Sequence, residues 1–213
     1  VKFDKYKYFG FRGGEFMQFK LVKDSNGQLY IHKNDIPHLA NTYAAIWTLI
    51  MLGDNLERVH KKEILQSLKY YQKEDGQIKC MVEDSEDDIR FAYWASAIHK
   101  ILTQRMEQPP EQPSFNVDKL IKHWINCISY DGGFAWTPHG ESHAGLTYCT
   151  LGIFKLLDRM DDLEIHRERI IEWLVSRQLL EVNGFQGRIN KIPDTCYSFW
   201  NTGSLGILNP TYP

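Results

Sequence analysis

With 213 residues, 43% of them hydrophobic, the chain has enough apolar material for a folded core and does not have the composition of a disordered segment. A net charge of −2 gives no electrostatic case for nucleic acid or for an anionic membrane surface. No apolar run approaches the ~20 residues that a membrane span needs; the longest, 44–52, includes Thr48.

The first residues, Val1-Lys2-Phe3-Asp4-Lys5, lack the apolar core of a signal peptide. Strand signals are scarce and helical signals recur in pairs. The spacing predicts an apolar helix over 39–52, closed by Gly53, and a second over 59–72 with Ile64, Leu65, Leu68 and Tyr71 on one face. Asp75-Gly76 turns the chain. Ser85 to Asp88 has a capping-box pattern opening a helix to about Leu102. The Pro-rich link 109–113 then breaks the helix and is expected to be a surface loop. An amphipathic helix is predicted over 117–129, followed by a turn at Asp131-Gly132-Gly133-Phe134. A further helical pair covers 144–157 and 163–179. Asn183-Gly184-Phe185 turns again, and 195–205 is helical.

These elements repeat. Gly10, Gly76, Gly132 and Gly184 recur at intervals of 66, 56 and 52 residues. Tyr43, Tyr93, Tyr148 and Tyr197, each in an apolar helix, recur at 50, 55 and 49. A period near fifty with two helices per unit indicates a helical array. One helix of each pair is apolar nearly all round, which fits an inner helix buried on both sides, and the other is amphipathic. The expected fold is all-α: an α/α toroid of helical hairpins around a central cavity, a single domain over 1–213. About four inner helices can be counted, so the ring is expected to be incomplete here, with a partner or further chain covering the ends.

Four cysteines, Cys80, Cys127, Cys149 and Cys196, form no CxxC pair and no dense framework, so a reducing, cytoplasmic setting is expected. Two or three of them are read as ordinary core residues. Arg90, His143 and Cys196 all fall at the start of an inner helix. If those helices run parallel, the three gather at one end of the cavity, together with the helix N-termini that attract anions. An anion site is expected there, built with Arg188, Lys191 and His143; the alternative is that the two cations are solvated loop charges. Asp194-x-Cys196 offers a carboxylate and a thiolate to zinc, whose catalytic sites use three protein ligands and one open position. The motif is short, and a core cysteine is the plainer alternative. Phe91, Tyr93, Trp94, Trp136, Tyr148 and Trp200 are candidates for an apolar cavity wall, with plain core the alternative. The acidic run from Glu83 to Asp88 is neither DDxxD nor DxDD and reads as a helix N-terminus. The glycine turns do not fit nucleotide-binding patterns, and no strand precedes them.

The chain resembles the β subunits of protein prenyltransferases, those of geranylgeranyltransferase type I above all. The residues that carry the resemblance are Gly10-Phe11-Arg12-Gly13, Asp87 through Tyr93, Glu141 through Cys149, and above all Gly184 through Trp200. Within the last, Gly-Phe-Gln-Gly-Arg, then Asn-Lys, then Asp-Thr-Cys-Tyr-Ser-Phe-Trp is specific to this family. Thr195, where farnesyltransferases usually have glycine, favours type I, as do Leu52-Gly53-Asp54 and Arg90-Phe91. The resemblance implies a heterodimer with a prenyltransferase α subunit. It implies zinc, with magnesium as a second candidate ion. The reaction would join geranylgeranyl from its diphosphate to the cysteine of a C-terminal CaaX motif, on proteins such as small GTPases. By the same resemblance Asp194 and Cys196 are zinc ligands, with a histidine from a later repeat as the third. His143, Arg188, Lys191 and Tyr197 bind the diphosphate, Lys191 and Tyr197 also serving catalysis. Arg90 lies at the floor of the isoprenoid pocket, and Tyr93, Cys149 and Trp200 line it. No histidine follows Cys196, so these 213 residues are expected to bind zinc weakly and to turn over little. A farnesyltransferase β subunit, a triterpene cyclase (disfavoured by the missing DxDD) and a non-catalytic helical scaffold are the other readings.

Overall fold

The computed structural model describes residues 9–14, 22–23, 25, 29–30, 35–82 and 86–209. It is helical, in two compact units, Val1–Val117 and Asp118–Pro213. In the first, a two-stranded antiparallel ribbon, β1 (Val22–Lys23) and β2 (Leu29–Tyr30), precedes α1 (Leu39–Met51), α2 (Lys61–Ser67) and α3 (Ile89–Thr103). Helix α3 packs on both α1 and α2. The core includes Leu39, Ile46, Ile64, Leu65, Phe91 and Ile98. Helix α4 (Val117–Ile125) opens the second unit, followed by α5 (Ala144–Leu156), α6 (Arg167–Val175), a ribbon of β3 (Gln178–Leu179) and β4 (Gly184–Phe185), and α7 (Thr195–Leu208). Helix α7 packs on α5 and α6. Leu120, Trp124, Leu151, Phe154, Ile170 and Trp173 are buried there. Among the described residues no helix is long and apolar enough to cross a membrane.

The repeat is written most exactly in the helix starts. His38, Asp88, His143 and Asp194 are the N-caps of α1, α3, α5 and α7. All four have extended backbone, and each side chain accepts the N–H two residues on, from Ala40, Arg90, Gly145 and Cys196 at 2.8–3.0 Å. This satisfies a donor that the first helical turn leaves unpaired. Before three of these caps the chain makes two antiparallel crossings in the same order. They are Gln72↔Ile78 then Lys79↔Asp87, Ile128↔Phe134 then Ala135↔Ser142, and the β3–β4 ribbon then Gln186↔Pro193.

Several boundaries differ from expectation. The helix expected over 59–72 is α2 followed by a 3-10 turn, Leu68–Tyr71, tightened where Leu68 and Tyr71 are buried. That expected over 163–179 is a 3-10 segment, Met160–His166, then α6, and Gln178–Leu179 pairs as a strand instead. Helix α4 stops at Ile125, because Ser129 N–H bonds across the turn to the Gly133 carbonyl. Asp88 is the N-cap of α3; Ser85, on which the expected capping box falls, lies with Glu83 and Asp84 outside the described residues. Of the four repeat glycines only Gly76 and Gly132 have positive φ; in the last turn Asn183 carries it, at 51°. Counted from the caps, the residues equivalent to Tyr43, Tyr93 and Tyr148 end with Phe199, not Tyr197, which sits two places earlier. Ring contacts follow that register: Tyr43 lies 6.3 Å from Tyr93, and Tyr148 5.3 Å from Phe199. Finally, α3 and α5 are buried over most of their length, but α1 and α7 are not. Met51 is 75% and Phe199 59% exposed. Composition cannot tell a helix flanked on both sides from one flanked on a single side.

Candidate functional site

The site lies in the second unit, where α5 and α7 begin side by side and the loop before α7 crosses the start of α5. That loop is held by its backbone. Gln186 N–H bonds to the Arg177 carbonyl at 3.0 Å, and Ala144 N–H, at the first position of α5, bonds to the Gly187 carbonyl at 2.9 Å. The Gln186 side chain accepts Lys191 N–H at 3.2 Å, and Asp194 N–H bonds to the Phe185 carbonyl. Arg188 is thus presented next to the N-terminus of α5, and Lys191 is exposed three residues further on.

His143 caps α5 through Nδ1, which accepts Gly145 N–H at 3.0 Å. Its neutral ring therefore carries its proton on Nε2, a donor available to a ligand. Burial holds its pKa below the ordinary imidazole value, the Arg188 guanidinium lowers it further, and Glu141 opposes them. At neutral pH the ring is an uncharged donor. Tyr197 and Trp200, on the first two turns of α7, pack edge-on against it with centroids at 5.6 and 6.1 Å, and lie 6.0 Å from each other. Two glycines make this trio fit. A Cβ on Gly187 would stand 2.2 Å from Tyr197 Cε1, and one on Gly145 would stand 2.2 Å from Trp200 Cζ3.

Asp194 and Cys196 are both exposed at the start of α7. The Asp194 carboxyl is held below its usual range, chiefly by the backbone N–H of Cys196, while the neighbouring carboxylate pushes the Cys196 thiol up. Among the described residues no three His, Cys, Asp or Glu side chains group to hold a metal, whereas a catalytic zinc uses three protein ligands. Cys80 and Cys127 are core residues, as expected, and burial raises the Cys127 thiol to about 11. Cys149 is half-buried on α5.

Arg90 and Tyr93 belong to the first unit. The Arg90 guanidinium grips Asp88 with two bonds, Nε to Oδ1 at 2.8 Å and Nη2 to Oδ2 at 2.7 Å. Sequence reasoning gave no role to Glu141, whose Oε2 accepts Arg188 Nη1 at 2.9 Å, or to the two spacing glycines. Glu141 and Arg188 are 47 residues apart. No local pattern announces such a pair.

The arrangement as a whole is a mouth of donors: an uncharged imidazole N–H, a guanidinium and two helix N-termini, beside a thiol–carboxylate pair and an aromatic wall. It suits a multiply charged anion joined to an apolar group. The family model for the prenyltransferase alpha-alpha toroid domain matches residues 2–212. The chain belongs to this family. Among curated relatives of the toroid are the geranylgeranyl transferase type-1 β subunits of Dictyostelium discoideum and Arabidopsis thaliana. The first is 38% identical, covering 96% of this chain and 55% of that protein. The second is 34% identical, covering 95% and 53%. The protein farnesyltransferase β subunit of Pisum sativum is 33% identical over 87% of this chain and 42% of its own. The chain thus spans about half the length of the curated relatives it matches. Among solved structures, Candida albicans protein geranylgeranyltransferase-I complexed with GGPP matches with a TM-score of 0.72 at 26% identity, covering 90% of this chain and 61% of that one.

Proposed function

We propose that this toroid is the β subunit of a zinc-dependent protein geranylgeranyltransferase type I, working with an α subunit in the cytoplasm. It would transfer geranylgeranyl from its diphosphate to the cysteine of a CaaX tail, on proteins such as small GTPases. The observation that carries this is the convergence of His143, Arg188, Tyr197 and Trp200 where the loop before α7 meets α5. The type-1 relatives and the GGPP-bound structural neighbour support it.

His143 Nε2–H, Arg188, Lys191 and the Tyr197 hydroxyl would receive the diphosphate, with magnesium as a further candidate counter-ion. The substrate sulfur bonds to C1 of the isoprenoid as the C1–oxygen bond breaks, and the electron pair leaves with the diphosphate. Donors already in place at that oxygen stabilise the departing charge without reorganisation. Asp194 and Cys196 would hold zinc together with one further ligand. When bound, the metal would supply deprotonation of a substrate thiol that is otherwise mostly protonated, with a pKa of about 8.5. Cys149 and Trp200, both in the second unit, would line the isoprenoid slot.

The test is transfer of labelled geranylgeranyl to a CaaX peptide by the complete protein with its α subunit. Cys196→Ala should abolish transfer; retained turnover would overturn Cys196 as a zinc ligand, and no transfer by the parent complex would leave a non-catalytic scaffold as the better reading. The pea farnesyltransferase relative keeps one competitor open. A higher kcat/KM with farnesyl diphosphate than with geranylgeranyl diphosphate would decide for it.

A further inference from the structure

We propose that Glu141 is a counter-charge that competes with the bound diphosphate for Arg188, and so sets how tightly the site holds its anion. The proposal rests on the diphosphate site proposed above. Arg188 Nη1 donates to Glu141 Oε2 at 2.9 Å, joining the two segments that form the mouth: the approach to α5 and the loop before α7. The pair is half in solvent, with the Arg188 side chain 40% and the Glu141 side chain 58% exposed. An ion pair this wet is weak and opens readily. Its position is what gives it a role. Glu141 lies two residues before His143 and acts electrostatically on that ring. Arg188 follows Gly187, whose carbonyl is fixed to Ala144 N–H at 2.9 Å. An anion taking hydrogen bonds from both His143 Nε2 and Arg188 would therefore lie beside the Glu141 carboxylate.

Two negative groups at one guanidinium repel each other, and the weaker-held one gives way. Glu141 keeps Arg188 oriented toward the mouth while the anion is away. It opposes the anion when it arrives, and reclaims Arg188 when the anion leaves. For a transferase whose second product is inorganic diphosphate, such a residue speeds release.

Inorganic pyrophosphate, titrated calorimetrically onto the whole protein, is the probe. Glu141→Gln keeps the size of the side chain and removes its charge. It should bind pyrophosphate about two- to five-fold more tightly, the scale of a half-exposed ion pair. The gain should be largest at low ionic strength, since salt screens exposed charges. Arg188→Ala should weaken binding, and on that background Glu141→Gln should gain clearly less than on the parent. Equal or weaker binding by Glu141→Gln overturns the proposal, as does an undiminished gain without Arg188. Absence of pyrophosphate binding, or binding that ignores Arg188→Ala, would instead sink the diphosphate site itself.

Discussion

Gly187→Ala puts the packing of the site to a direct test. The new methyl would stand 2.2 Å from Tyr197 Cε1 and 2.3 Å from Cζ, where carbon atoms prefer about 3.5–4.0 Å. Something must move by more than an ångström. The glycine backbone is tied to Ala144 N–H, and the Tyr197 ring is wedged between His143 and Trp200. Overpacking of this kind costs about 1–3 kcal/mol. Against it, alanine narrows the unfolded ensemble by about 0.4–1 kcal/mol, because φ at residue 187 is not positive. The net loss centres on about 1.3 kcal/mol, which for a chain of this size lowers the melting temperature by about 3–5 °C. Thermal unfolding measures it. The decisive comparison is with Tyr197→Ala and the double variant. With the ring gone the three nearest atoms the methyl would strike are removed, so the double variant should melt close to Tyr197→Ala alone. Strictly additive losses, or a Gly187→Ala melt within 1 °C of the parent, would refute the close approach as the reason for glycine at this position.

The titration of His143 gives a second outcome. Its pKa is lowered on folding, so the native state binds fewer protons there than the unfolded chain. Its contribution is fully present above the ordinary imidazole value of about 6.5 and is lost as pH falls through the folded pKa. His143→Asn retains a helix cap and has no such titration, so its stability should fall less steeply on acidification. His38 and His99 are lowered as well and contribute equally to both proteins, so the difference between the two curves isolates residue 143. Asp194→Asn separates capping from metal binding. Asparagine caps as well as aspartate, so the melt should move by only a few tenths of a kcal/mol, while zinc retained after dialysis should fall. For the parent 213 residues, zinc should be substoichiometric and removable by chelator, as expected from two ligands. Stoichiometric, chelator-resistant zinc by metal analysis would contradict that.

Much of this molecule is local physics and therefore legible in one dimension. Helical periodicity and the glycine turns act over a few residues, so the helix order, the repeat near fifty and the loop–helix segment from Gly184 to Trp200 could all be read before any coordinate. The specificity of that segment was enough to name the family. What the sequence left open is what depends on residues that meet only after folding. Tyr197 and not Phe199 faces His143, because register is set by where the Asp194 cap falls, not by matching aromatics. Helix α7 shows Phe199 to solvent although its composition equals that of a buried helix, because burial is a property of neighbours. Glu141 finds Arg188 across 47 residues, and Gly187 is needed for a ring ten positions further along, because charge and volume act through space and leave no mark on spacing.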